Sequence, residues 1–507
     1  MTRSVAAAAV ADPALSMRGA VAALRRTDPG RYHVRGPLGP DDIAADYARR
    51  YAGVPATSRA VPEDVVRYRT GRHDIPVLLG LYGDAERVRG WLPGYPRRVD
   101  RAGVRRLLGA ARPAVTGERR AERRPVDLAA LPVLRTTDRD AGGYLTAGMV
   151  LADGGAALSV HRMLVLDRER LALWMVPGRT LARRYDEALR AGRRLPVSVN
   201  IGVPPAAMVA SALGGRFLPA GVDKLAVAGA LAGAPLTLAG AETQPVPVLA
   251  ESEIVLEGYL DGSTADETLG DRVTGSLPEF LGYHGRGQAG LPVITVTGMT
   301  VRPGAAYQAV IGPGREQSVI LGLAAALSVA LAGRSPDWNL LHDLHLSPAG
   351  GGLLTLAASL RKTGPADDAA PARLAREVFD AHPFTKLVVF TDDDVDVRVD
   401  EDVLWALSTR ANLGSDCVTF DDYPPLPMDP SQTDAWLAER GRPGRSYVDA
   451  TVPYRVRGLA ERAFAGPPPR PRRAARPADA PAAATTPIPT GVPTTPARGR
   501  VFDRGPA

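Results

Sequence analysis

A single acid, Glu279, lies between Pro278 and Phe280 in the glycine-rich stretch 274–300, ahead of a run with alternating apolar residues. Burial disfavours a carboxylate, so an acid held between apolar neighbours is a candidate for a raised pKa and for proton transfer. The competing reading is a solvated loop glutamate. The segment 282–290, GYHGRGQAG, could surround an anion with backbone N–H donors, although its spacing matches no phosphate loop. Asp392, Asp393, Asp394 and Asp396 follow the apolar run KLVVF and so fall at the carboxyl end of a predicted strand, where open sheets bind ligands. They could hold a divalent cation or form a solvated capping turn. His342 and His345, three apart, are a weak metal signal. No GxGxxG follows a predicted strand, and GxxxxGK[ST] and HExxH are absent, which removes the dinucleotide, ATP and zinc-peptidase fingerprints.

The elements that must position these residues fall into three regions. Residues 1–115 carry α/β signals: helical spacing in SMRGAVAALRR, a short buried strand in IPVLLGLYG, and the helical DAERVRGWL. An arginine-dense connector over 101–126 reads as a helix and a solvated linker. Residues 116–305 change to strands, including ALSVHRMLVLD, LALWMV, LPVSVNIG, SEIVLEGYLDG and LPVITVTGMTV, interleaved with short helices at LARRYDEALRAG and PPAAMVASALGG. Many strands with few long helices predict a half-open barrel or sandwich rather than a doubly wound sheet. Residues 306–463 return to α/β character, and 464–507 are too poor in apolar residues to repay ordering, which predicts disorder.

A chain of 507 residues exceeds one hydrophobic core, so two or three domains are expected. The net charge of +7 is concentrated at one end, because 470–507 holds seven arginines against two aspartates. The rest of the chain is close to neutral, which argues against a general nucleic-acid surface. One cysteine, Cys417, excludes a disulfide framework or a cysteine-based metal site within one chain. The longest apolar segment, 318–333, is shorter than the roughly 20 residues that span a bilayer and predicts a buried helix. With no sustained apolar core near the N-terminus, a cytoplasmic setting without membrane attachment is expected.

Eight separated segments, in order, carry a family resemblance over most of 70–455. They are GGYLTAG, ALSVHRM, RRYDEALRAGRRLPVSVNIGVPP, LAVAGALAGAPLTLAGAE, VLAESEIVLEGYL, GSLPEFLGYHG, KLVVFTDDDVDVRVDEDVLWALSTR and RSYVDATVPYR. In these the chain resembles the UbiD family of decarboxylases, which use prenylated flavin mononucleotide (prenylated FMN) to remove carboxylate from aromatic and α,β-unsaturated acids. The resemblance implies an α/β and α+β multidomain molecule with a central flavin-reductase-like split β-barrel between N-terminal and C-terminal α/β regions. It also implies a homo-oligomer, a small carboxylic-acid substrate and a flavin prenyltransferase as cofactor supplier.

It assigns residues as well. Arg162 matches the family arginine beside the isoalloxazine, suited to gripping a carboxylate or a flavin carbonyl, and Glu279 matches the acid that supplies a proton. The family's first loop acid falls on Thr274, which leaves the expected charge network around Arg162 incomplete. The family's metal ligands fall on Ala157, the vicinity of Pro177, and Lys224, none of which can hold a divalent cation. Lys224 and Arg179 could instead neutralise the flavin phosphate, and Lys386 matches a lysine that contacts it. No metal site is expected. Decarboxylation with an altered metal site is therefore the first expectation. A non-catalytic scaffold of the same fold, or a different flavin-dependent reaction in small-molecule biosynthesis, is the alternative.

Overall fold

The computed structural model describes residues 12–51, 63–267, 282–283, 285, 287–312, 314–426 and 429–463. The compact unit ends at Ala460. Its first helix, α1 (Met17–Thr27), begins where the Ser16 hydroxyl accepts the Gly19 N–H, and it buries Met17, Ala20, Ala23 and Leu24. A small mixed sheet follows, with β1 (Tyr32–Leu38), β2 (Val65–Thr70) and β3 (Val77–Leu79). Helices α2 (Pro40–Tyr51), α3 (Ala85–Trp91) and α4 (Arg101–Gly109) complete this part.

The middle of the chain forms six strands: β4 (Tyr144–Ala152), β5 (Ala157–Val165), β6 (Arg170–Leu173), β7 (Leu195–Ile201), β8 (Ile254–Ala265) and β9 (Leu291–Val301). Their order is β8-β7-β4-β5-β6-β9, and β9 pairs back onto β8. The expected half-open barrel or sandwich is thus a closed antiparallel ring, because the two longest strands pair from Ile254↔Val301 to Ala265↔Leu291 and leave no ladder edge between them. Alternating residues Val197, Val199, Leu256, Ile294 and Val296 are buried in its core. The connector read as a solvated linker contributes strands too. Residues Glu122–Arg124 pair with β9 and Val115–Thr116 with Thr237–Leu238, because arginine-rich segments can add to an edge through their backbone while their side chains stay wet.

Strand β10 (Tyr307–Gln308) returns beside β3, so the N-terminal sheet is completed by residues beyond the barrel. A third sheet follows, of order β11-β12-β13-β15-β14, from β11 (Leu341–Leu346), β12 (Thr355–Leu360), β13 (Leu387–Asp392), β14 (Cys417–Phe420) and β15 (Arg445–Asp449). Further helices are α5 (Thr180–Arg190), α6 (Pro205–Ser211), α7 (Lys224–Ala232), α8 (Arg315–Ala332), α9 (Ala370–Ala381), α10 (Asp400–Arg410), α11 (Leu413–Asp416) and α12 (Asp434–Arg440). Helix α8 is long and apolar enough to cross a membrane, yet 72% of it is buried within the fold, packed through Leu323, Ala324, Leu327 and Val329.

Helix α7, whose apolar side chains are buried in the core, is also held by backbone contacts. The Gly94 N–H donates to the Leu231 carbonyl, and the Arg112 N–H to the Ala226 carbonyl. A β-carbon on Gly229 would collide with the Arg112 carbonyl, so the close approach requires glycine. Gly229→Ala is expected to destabilise the fold by about 1–3 kcal/mol through overpacking against rigid backbone. A lowered urea midpoint checks this, and an unchanged midpoint would show that the contact can relax.

Candidate functional site

Strand β5 presents Arg162 next to the ring of Trp174, with the guanidinium carbon 5.3 Å from the ring centroid. The Arg162 Nε and Nη2 donate to the two carboxylate oxygens of Glu267 at 3.2 and 3.1 Å. Glu267 is 1% exposed, so this fork-to-fork pair is largely removed from water on its acidic side. Glu267 is also tied to the backbone of Gln288: its N–H donates to the Gln288 carbonyl at 2.8 Å, and its carboxylate accepts the Gln288 N–H at 3.0 Å. The pair therefore closes the base of the segment that contains Thr274 and Glu279. Both of those lie outside the described residues.

The charge network around Arg162, expected to be incomplete because Thr274 stands at the family's first loop acid, includes Glu267 among the described residues. Glu267 lies two residues beyond β8, where the strand's exit brings it across the barrel to β5. An acid directly following a long strand was the signal available in the sequence. Matching by loop spacing passed over it.

The residue before Arg162 is chemically quiet. His161 Nδ1 lies 2.9 Å from the Trp174 carbonyl and Nε2 lies 2.7 Å from the Ser159 hydroxyl. Burial, and then the charge of Lys224, push its pKa down to about 4. With a neutral ring, Nδ1–H donates to the carbonyl and Nε2 accepts the hydroxyl proton.

A second group of charges surrounds the start of α7. The Lys224 ammonium donates to the Leu158 carbonyl at 3.1 Å and to the Ser211 carbonyl at 2.5 Å. Burial, and then Arg179, lower its pKa to about 8. The Arg179 pKa is lowered by burial and by Arg216, while His382 is pushed down to about 4 by burial and then by Arg179 and Arg216. Among the described residues neither Lys224 nor Arg179 forms an ion pair with a carboxylate, and the charges that lower their pKa are cations. Ala157 is buried at the start of β5 and Pro177 is exposed. Among the described residues no group of three His, Cys, Asp or Glu side chains could hold a metal ion.

Lys386 is engaged elsewhere. Its ammonium lies 2.7 Å from the Asp429 carboxylate and donates to the Ser431 hydroxyl. The structure thus brings Lys224 and Arg179 together and pairs Lys386 within the C-terminal sheet region. The aspartates after β13 are bound by arginines. Arg410 bridges Asp392 and forks onto Asp394 at 2.8 and 2.6 Å, and Arg361 pairs with Asp393 at 2.7 Å. Asp396 accepts the Arg398 N–H. This is the structural reading of that turn. His345 is buried with its pKa pushed down to about 3 by burial and two arginines, and Cys417 is exposed.

A closed barrel that offers a clamped guanidinium beside an aromatic ring, and a separate group of cations without a carboxylate, can hold carboxylate and phosphate groups. Residues 108–316 match the UbiD family, described as 3-octaprenyl-4-hydroxybenzoate carboxy-lyase Rift-related domain, and 318–450 match its C-terminal domain. The chain belongs to the UbiD family. Gallate decarboxylase of Lactiplantibacillus plantarum is 30% identical over 337 residues, covering 64% of this chain and 69% of that protein. The structure of apo Klebsiella pneumoniae 3,4-dihydroxybenzoic acid decarboxylase (AroY) superposes with a TM-score of 0.79 at 26% identity, over 90% of this chain and 98% of that one. The UbiD-class enzyme HmfF from Pelotomaculum thermopropionicum, in complex with FMN, superposes with a TM-score of 0.74 at 28% identity, over 88% and 96% of the two chains.

Because Glu267 is fully buried and Arg162 is about one-fifth exposed, removing the acid should be costly. Glu267→Ala is expected to destabilise the protein by about 3 kcal/mol, since it strands a partly desolvated guanidinium. The double variant Arg162→Met/Glu267→Leu should recover part of that loss in a urea-unfolding cycle. Strictly additive single effects would show that the pair is not energetically coupled.

Proposed function

We propose that this chain is a non-oxidative decarboxylase of an aromatic or α,β-unsaturated carboxylic acid and that it works with prenylated FMN. The observation that carries the reading is the Arg162–Glu267 pair on the barrel of a UbiD-family chain, set against Trp174. Two similar proteins, a gallate decarboxylase and a dihydroxybenzoate decarboxylase, support the substrate class, and an FMN-bound UbiD-class enzyme supports a flavin cofactor. Lys224 and Arg179 fit the phosphate of such a cofactor, because neither is ion-paired to a carboxylate among the described residues. When bound, prenylated FMN supplies the electron sink for loss of carbon dioxide.

The chain's own residues then have three tasks. Arg162 orients the substrate carboxylate, and Glu267 fixes the guanidinium so that little reorganisation is needed on binding. Trp174 supplies an apolar aromatic wall next to that guanidinium. The bond to the carboxylate carbon breaks with its electron pair left on the substrate, and Glu279 as a carboxylic acid delivers the proton that replaces carbon dioxide. His161, held neutral, adds no positive charge beside Arg162. Lys386, paired with Asp429, is assigned to the phosphate only if the cofactor displaces that partner.

A homo-oligomer is part of this reading, supported by exposed Leu404 on α10, Leu413 in the short helix before β14 and Val418 on the edge strand β14. A flavin prenyltransferase is the cofactor supplier it requires.

Protein co-produced with such a prenyltransferase should release carbon dioxide from at least one member of a panel of hydroxybenzoic and heteroaromatic acids. Arg162→Ala should lower turnover by roughly 10²-fold or more, the scale of losing a preorganised charge-stabilising donor. Glu279→Gln should lower it by about 10²–10⁴-fold and slow solvent deuterium incorporation into product, as expected of a general acid. Unchanged turnover in a folded Arg162→Ala variant would remove the carboxylate-gripping role.

A further inference from the structure

Only three lysines occur in this arginine-rich chain. Lys362 and Lys386 each meet a carboxylate at 2.7 Å, from Asp368 and Asp429. Lys224 meets none among the described residues, and its two hydrogen-bond acceptors, the Leu158 and Ser211 carbonyls, are neutral. An ammonium has three N–H directions, so two fix its position and the third is left for a ligand.

The location makes the lone charge more costly. Lys224 is the first residue of α7, where the helix dipole is positive and disfavours a cation. Asp223 caps the helix by accepting the Ala226 N–H. Arg179, with Arg216 behind it, adds like charge. Cations gathered at a desolvated helix start, where the Asp223 carboxylate is taken up by the helix N–H and forms no ion pair with them, raise the free energy of the empty site, and an anion lowers it. Arg179 keeps an exposed edge although its neighbours partly desolvate the guanidinium, so the group can be reached from solvent. The Leu158 carbonyl and Arg162 lie four residues apart on β5, about 13 Å along a strand, a span comparable with that between the phosphate and the ring of an extended FMN.

We propose that Lys224 is a tethered cation that replaces a divalent metal ion in holding the phosphate of FMN, with Arg179 as the second charge. This rests on the cofactor reading above. A metal at this place would meet the ammonium itself, which cannot ligate it, and among the described residues no group of three His, Cys, Asp or Glu side chains could hold one. A phosphate dianion, in contrast, finds the third ammonium N–H and the planar donor fork of a guanidinium. The consequence is that this chain binds FMN in the absence of divalent ions.

The test is flavin binding by the purified full-length chain after treatment with EDTA, followed by quenching of flavin fluorescence, with FMN and phosphate-free riboflavin compared. FMN is expected to bind at least tenfold more tightly than riboflavin, and added Mg²⁺ or Mn²⁺ should change its Kd by less than twofold. Lys224→Met should weaken FMN more than tenfold and leave riboflavin binding unchanged, with the far-ultraviolet circular dichroism of the parent. Should Lys224→Met fail to fold, Arg179→Ala on the exposed side should weaken FMN at least threefold with the same selectivity. FMN binding that appears only with a divalent ion overturns the inference and leaves the flavin reading standing. Equal affinity for FMN and riboflavin also overturns it. Absence of flavin binding under every condition overturns both.

Discussion

The pairing of β8 with β9 is the constraint on which the rest depends. Each long strand offers a row of N–H and C=O groups that must find partners once buried, and only their mutual ladder closes the ring. Closure fixes where β5 and β6 lie between β4 and β9, and with them Arg162 and Trp174. It also sets where β8 ends and therefore where Glu267 emerges. The carboxylates at the start of β8 extend the same constraint outward. Glu253 takes both Arg18 of α1 and the Ala306 N–H, while Glu257 accepts the N–H groups of Glu242 and Thr243. A barrel of apolar interior is thus anchored to its neighbours by buried acids that are fully occupied, the condition under which buried charge is tolerated.

The two charge groups of the site contrast in how they are balanced. Arg162 is paired with a buried carboxylate from just beyond the end of β8, which makes it rigid and directional. Lys224 and Arg179 have no such balance, and burial with like charges lowers the pKa of both. The first arrangement suits a group that must hold a reacting carboxylate in one pose. The second suits a group whose counter-charge arrives with a ligand. The acidic turn after β13 shows the opposite case, since four aspartates there are bound by Arg410, Arg361 and the Arg398 backbone and have little left to offer a cation.

Much of the architecture was legible from local pattern. The alternation in SVHRM and in LPVITVTGMTV predicts strands that the structure places in the same barrel, with β6 between them, and the apolar run 318–333 predicts a buried helix that becomes the core of α8. What local pattern could not show was closure of the ring, because a strand's hydrogen-bond partner is chosen by distant residues. For the same reason the connector after α4 read as solvated, although its backbone adds short strands at two edges.

The residue types themselves determined that Ala157, Pro177 and Lys224 cannot ligate a metal, since that follows from side-chain chemistry wherever they lie. Arg162 as a carboxylate partner follows from the guanidinium in the same way. Tertiary structure alone decided which charges meet. Glu267 reaches Arg162 across 105 residues of chain, Lys386 meets Asp429 rather than the Lys224 group, and Lys224 ends with carbonyls and cations around it. Coulomb energy depends on distance and on the surrounding dielectric, and neither is set until the barrel has closed.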